Sequence, residues 1–165
     1  MRKNNQSGTR QVSRGFSLIE LLVVVAVILI VSAIAIPNFI RSKMRANEAA
    51  AVANLRNITT AETVYSTTYG IGYTTDLTQL GGTTLSVTQN NAGLIDSVLA
   101  SGTKSGYTFT YSILSQDPAG HVLAFAATAD PTLAGKSGDR HFYADQSAVI
   151  RHNETQPAVA TDPAI

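Results

Sequence analysis

Hydrophobic and polar positions divide the chain into zones of different period. Residues 1–15 are polar and basic. Phe16 to Ile36 is apolar on every side: in these 21 residues Glu20 carries the only charge, and Ser17 and Ser32 are the only other polar side chains. A run of this kind reads as a membrane-spanning helix, since a rise of about 1.5 Å per residue gives about 30 Å, the thickness of a bilayer core. Pro37 follows and predicts a kink, because it removes one helical hydrogen bond. Residues 37–69 then take the helical period. Val52, Leu55, Ile58, Tyr65 and Tyr69 fall on one stripe of an alanine-rich amphipathic helix. No glycine lies between Gly15 and Gly70. The pattern therefore predicts one helix of about 54 residues and about 80 Å. A domain of this size cannot cover it, so its first half must be buried in lipid or in other subunits.

Residues 70–106 are a connector. Gly70-Ile71-Gly72-Tyr73 ends the helix, residues 74–91 are rich in Thr, Gly and Asn, and a short turn is expected at Asp76–Leu80. Residues 92–100 could form a short helix that packs Leu94, Ile95, Val98 and Leu99. The period then changes to two. Tyr107 to Ile113 alternates as a half-buried strand does, Asp117-Pro118-Ala119-Gly120 is a turn, and His121–Thr128 is the return strand. Arg140–Ala144 and Ala148–His152 complete a second hairpin, so residues 107–152 form an antiparallel sheet. The tail, 153–165, with Pro157 and Pro163, reads as flexible. The expected class is α+β: a long N-terminal helix packed on a small antiparallel sheet of about four strands.

Charge sharpens this outline. The 165-residue chain has a formal charge of +1, unevenly spread. Residues 1–15 hold Arg2, Lys3, Arg10 and Arg14 and no acid, which leaves eight basic against eleven acidic residues beyond them, a charge of −3. That balance gives no general case for nucleic-acid binding. The absence of cysteine excludes a disulfide framework, thiol catalysis and a lipid-anchored Cys. Glu20 is the costly residue: charged side chains at a bilayer centre cost roughly 2.5–3.5 kcal/mol on insertion scales. Nearer an interface the cost is lower, but a cation should exist to meet it.

The basic leader, Gly15-Phe16-Ser17-Leu18-Ile19-Glu20 and the unbroken apolar stretch to Ile36 together resemble the precursors of type IV pilins and their pseudopilin relatives. The motif covers the first third of the chain; beyond it the likeness is one of layout. The resemblance implies that a membrane-embedded prepilin peptidase cuts after Gly15 and that the new N-terminus, Phe16, is methylated. It implies further that subunits leave the inner membrane and stack by their helices into a filament. The implied partners are identical subunits, the peptidase, an inner-membrane platform and a cytoplasmic assembly ATPase. Many pilins carry a C-terminal cysteine pair that this chain lacks. The chemistry agrees with the resemblance. Cutting after Gly15 creates an α-amine with an ordinary pKa of about 7.7–8. The Phe16 amine of an incoming subunit could then pair with Glu20 of a neighbour, neutralising the carboxylate and fixing axial register.

The reading that follows is a structural subunit, not an enzyme: a major pilin, with a type II secretion pseudopilin or a DNA- or surface-binding minor pilin as alternatives. An ordinary signal peptide cut at Ala33-Ile34-Ala35 is the rival for the N-terminus. The charge inside the apolar run and the helical pattern continuing past that point oppose it. A plain single-span anchor is another. No cofactor is expected. Asp130, Asp139 and Asp145 bracket a glycine-containing loop and are weak calcium candidates without EF-hand spacing. His121, His141 and His152 lack metal-ligand spacing. Arg41, Lys43, Arg45 and Arg56 read as a cationic boundary at phospholipid headgroups or as partners of neighbouring helices. Nucleic acid would be met by Lys104, Lys136 and Arg140. The same N-terminus serves adhesion, motility, DNA uptake and secretion, so the purpose of the filament is not written in it.

Overall fold

The computed structural model describes residues 15–82 and 87–165. All of the leader except Gly15 lies outside the described residues, as does the middle of the 74–91 connector. Helix α1 runs from Leu18 to Tyr69 without a break at Pro37. The chain divides into two compact units, Met1–Asn38 and Phe39–Ile165.

The described part of the first unit is the start of α1. Every large apolar side chain from Phe16 to Ile36 is exposed. This stretch is long and apolar enough to cross a membrane, and its most apolar window has no buried residue. Exposing so much hydrocarbon to water is unfavourable at about 25 cal/mol per Å². The stretch therefore requires a second apolar environment.

Among its described residues the second unit holds the rest of α1, two single-turn helices, α2 (Leu77–Leu80) and α3 (Ser97–Ala100), and five strands. The strands are β1 (Thr103–Lys104), β2 (Tyr107–Gln116), β3 (Val122–Pro131), β4 (His141–Asp145) and β5 (Arg151–Asn153). They pair antiparallel in chain order. The expected four strands are present, each shifted by one to three residues. The fifth, β1, is a two-residue edge strand too short to leave a period in the sequence.

The predicted stripe on α1 is the buried one. Leu55, Ile58 and Tyr65 pack with Tyr107, Phe109, Ala127, Ala129, Phe142 and Ala144 of the sheet, and Val52 and Tyr69 lie at the margin. Removing such a side chain to alanine costs about 2–5 kcal/mol. The hydroxyls of Thr63 and Thr67 each donate to the carbonyl one turn back, at 2.9 Å, which satisfies them without strengthening the helix. Gly70, at φ +66°, ends α1 in the left-handed region that favours glycine. Gly72 has to be glycine for a second reason: a Cβ there would lie 2.3 Å from the Val122 carbonyl oxygen. That carbonyl accepts from Tyr73 N at 2.9 Å and ties the helix end to the sheet.

Two expectations change. Of the 92–100 segment only Ser97–Ala100 is helical, capped by Asp96, whose carboxylate accepts from Leu99 N. Ile95 and Leu99 are buried, but Leu94 and Val98 are exposed. Gly93, at φ +62°, holds the preceding residues out of a helix. The tail expected to be flexible is tied down. His152 N donates to Pro163 O and Ile165 N to Ile150 O, both at 3.0 Å. The Asp162 carboxylate accepts from Val159 N at 2.8 Å and from Asn153 Nδ2 at 3.2 Å. Ala158 packs on Ala126 and Tyr143, covering one face of the sheet.

Candidate functional site

Helix α1 begins at the residues the sequence singled out. Gly15 and Phe16 are exposed, non-helical and immediately N-terminal to the helix. Ser17 stands at the helix cap, and Glu20 lies in the first turn, where the positive end of the helix dipole favours an acid. The Ser17 backbone N–H donates to Glu20 Oε2 at 3.5 Å, a long contact. Sequence reading missed this, although Ser17-Leu18-Ile19-Glu20 has the Ser-x-x-Glu spacing of a capping box. Among the described residues no cation lies within ion-pair distance of Glu20. The carboxylate is thus held loosely by its own helix.

Further along α1, two buried acids fasten the globular unit to the helix. Glu48 Oε2 accepts from Arg140 Nη2 at 2.7 Å and Nε at 2.8 Å, and Oε1 accepts from Asp139 N at 3.1 Å. Burial alone would raise its pKa. The Asp139 amide and the Arg140 guanidinium outweigh burial and hold it below the usual carboxylate range. Asn47 adds a bond from Nδ2 to Ser137 O at 2.8 Å. Glu62 has no exposed surface and meets no cation among the described residues. It accepts from Thr74 N at 2.9 Å and from the Thr74 hydroxyl. Burial dominates, so its pKa is pushed up. Tyr111, whose hydroxyl donates to Thr74 O at 2.9 Å, closes the group. Both glutamates were missed because their partners lie far along the chain or in an irregular loop.

The calcium candidates do not converge. Asp130 contacts His141 Nδ1 at 2.6 Å, Asp139 accepts from Gly135 N at 3.0 Å, and Asp145 caps the turn at Ser147. Among the described residues no group of three or more His, Asp or Glu side chains is placed to hold a metal ion. His121 contacts Asp117 at 2.9 Å, and His152 Nδ1 is buried without a partner among the described residues. Of the nucleic-acid candidates, Lys104 pairs with Asp96 at 2.6 Å and Arg140 with Glu48, while Lys136 and the boundary cations Arg41, Lys43, Arg45 and Arg56 make no ion pair among the described residues.

Residues 10–36 match the family model described as the prokaryotic N-terminal methylation motif. The type IV wide pilus major component PilA4 of Thermus thermophilus is 34% identical over 125 residues, covering 72% of this chain and 83% of that protein. The chain is a type IV pilin. A fimbrial protein of Pseudomonas aeruginosa is 31% identical over 118 residues, covering 62% of this pilin and 77% of that protein. The type IV major pilin protein PilA of Myxococcus xanthus is 52% identical over 50 residues, covering 30% of this pilin and only 23% of that longer protein. Membership makes this pilin a structural protein and not an enzyme. It also accounts for a helix with an exposed apolar start on a small antiparallel sheet.

Proposed function

We propose that this pilin is the major structural subunit of a type IV pilus, inserted in the bacterial inner membrane as a precursor and displayed on the cell surface after assembly. Prepilin peptidase cuts after Gly15, and the Phe16 amine is then methylated. The observation that carries the reading is the start of α1: an apolar stretch whose large side chains are all exposed and whose one carboxylate, Glu20, has no cation among the described residues. Cleavage supplies a cation at Phe16. The amine of an incoming subunit pairs with Glu20 of a neighbour, and the apolar stretches bury one another. Pro37 supplies a point where the packed helices can bend. The inner-membrane platform and a cytoplasmic ATPase drive the transfer from lipid to filament. Two relatives carry the word major in their names, which supports the major over the minor role. The separate engagement of Asp130, Asp139 and Asp145 gives the calcium-dependent pseudopilin reading less support.

The test is Glu20→Ala. The precursor should still be cut and methylated, while sheared filament yield collapses. Normal yield from this variant would remove the pairing role.

A further inference from the structure

An open cleft of about 610 Å³ lies in the second unit, lined among others by Arg41, Arg45, Arg140, Asp139 and Glu154. Its charges are unusual in what they leave undone. Arg140 is held by Glu48. Asp139 accepts from Gly135 N through one oxygen and makes no ion pair among the described residues. Arg41, Arg45 and Glu154 are exposed and make no ion pair with anything among the described residues, although both signs share one cleft. Two free guanidiniums match a phosphate, which they bind through several N–H donors. A free carboxylate beside them matches an ammonium group. A ligand with both charges a few bonds apart would satisfy the cleft at once.

Position indicates where such a ligand comes from. Arg41 follows Ile36, the end of the apolar stretch, by five residues. That is about 7.5 Å of helix contour, and the polar layer beyond a bilayer core is about 5–8 Å deep on each side. By its place along α1, Arg41 therefore lies at headgroup depth in the precursor, with Arg45 about one turn further on.

We propose that this cleft receives the headgroup of an amine-bearing zwitterionic phospholipid, a phosphoethanolamine, while the pilin waits in the membrane. Arg41 and Arg45 hold the phosphate and Glu154 holds the ammonium. A trimethylated headgroup has the same charge but no N–H to donate, so the cleft discriminates phosphoethanolamine from phosphocholine. An anionic glycerol headgroup satisfies the arginines and leaves Glu154 unmet. The proposal rests on the membrane-span reading above.

The full chain, reconstituted in vesicles of phosphatidylcholine mixed equally with phosphatidylethanolamine or with phosphatidylglycerol, would be floated on a density gradient. It would then be extracted in mild detergent, and the lipids that stay bound counted by native mass spectrometry. The unmodified chain should retain phosphatidylethanolamine over both other lipids. Glu154→Gln should lose the preference over phosphatidylcholine yet keep bound phospholipid. Arg41→Gln with Arg45→Gln should lose the bound lipid altogether. Unchanged circular dichroism would show that these surface variants still fold. Equal retention of phosphatidylethanolamine and phosphatidylcholine by the unmodified chain overturns the proposal. So does a preference for phosphatidylglycerol, or variants that change nothing. A chain that floats with no vesicle contradicts the membrane-span reading instead and takes this one down with it.

Discussion

Replacing Arg140 with alanine tests how the globular unit is fastened to α1. The variant removes two bonds to Glu48, of 2.7 and 2.8 Å, and leaves a carboxylate whose side chain is 8% exposed with only backbone donors. Breaking one half of a wholly buried pair costs about 3–5 kcal/mol. Arg140 is itself 38% exposed, so water screens part of the attraction. We expect a loss of about 2–3 kcal/mol at neutral pH, or roughly 5–10 °C in melting temperature for a domain of this size. Thermal unfolding of the full chain in detergent, followed by near-ultraviolet circular dichroism of the tyrosines, would measure it. The pH dependence has a fixed sign. The Glu48 pKa is lowered on folding, so its contribution is present above the unfolded glutamate pKa and is lost as pH falls through the lower folded value. The difference between the variant and the parent should therefore close in acid. A loss below about 0.5 kcal/mol, the range of an ordinary surface substitution, would show that the pair does not fasten the unit. So would a difference that is independent of pH.

Glu62 should behave in the opposite sense: its pKa is raised, so its contribution is present below the unfolded value and lost as pH rises through the folded one. Glu62→Gln keeps an acceptor for Thr74 N, and its stability should gain on the parent as pH rises in the same melting assay; a gap that widens toward acid would refute the assignment. Asp162→Ala removes acceptors from Val159 N and Asn153 Nδ2 and should cost about 1–2 kcal/mol. The amides of His152 and Ile165 should exchange faster in that variant, and unchanged exchange would mean that the tail is held by other contacts.

The fold was legible where the signal is local. The α1 stripe through Leu55, Ile58 and Tyr65 follows from spacing alone, and the end of α1 at Tyr69 follows from Gly70. The alternation from Tyr107 marked β2, and the turn at Asp117–Gly120 marked its hairpin with β3. Legibility failed where structure depends on partners distant in sequence. Glu48 lies 92 residues from Arg140, and nothing near either residue announces the other. Glu62 fills the gap between Ile58 and Tyr65 in the apolar stripe itself, and its partner, Thr74, lies in an irregular loop that no period marks. The tail looked loose because its bonds to Ile150, His152 and Asn153 are made across a turn that its prolines and Asp162 shape. The residues proposed for processing and assembly stand out in the sequence for a different reason. Gly15, Phe16 and Glu20 lie within six positions, and a carboxylate at the head of an apolar run is anomalous without a second chain. Its capping contact with Ser17 was legible too, from spacing, and was overlooked.

The central claim is that these residues specify cleavage followed by polymerisation. N-terminal sequencing and intact mass of the protein sheared from cell surfaces test it most directly. The expected product begins at an N-methylated Phe16 and is recovered as filaments. A mature protein that begins at Ile36, or one that still carries the leader and is never found in filaments, would contradict it.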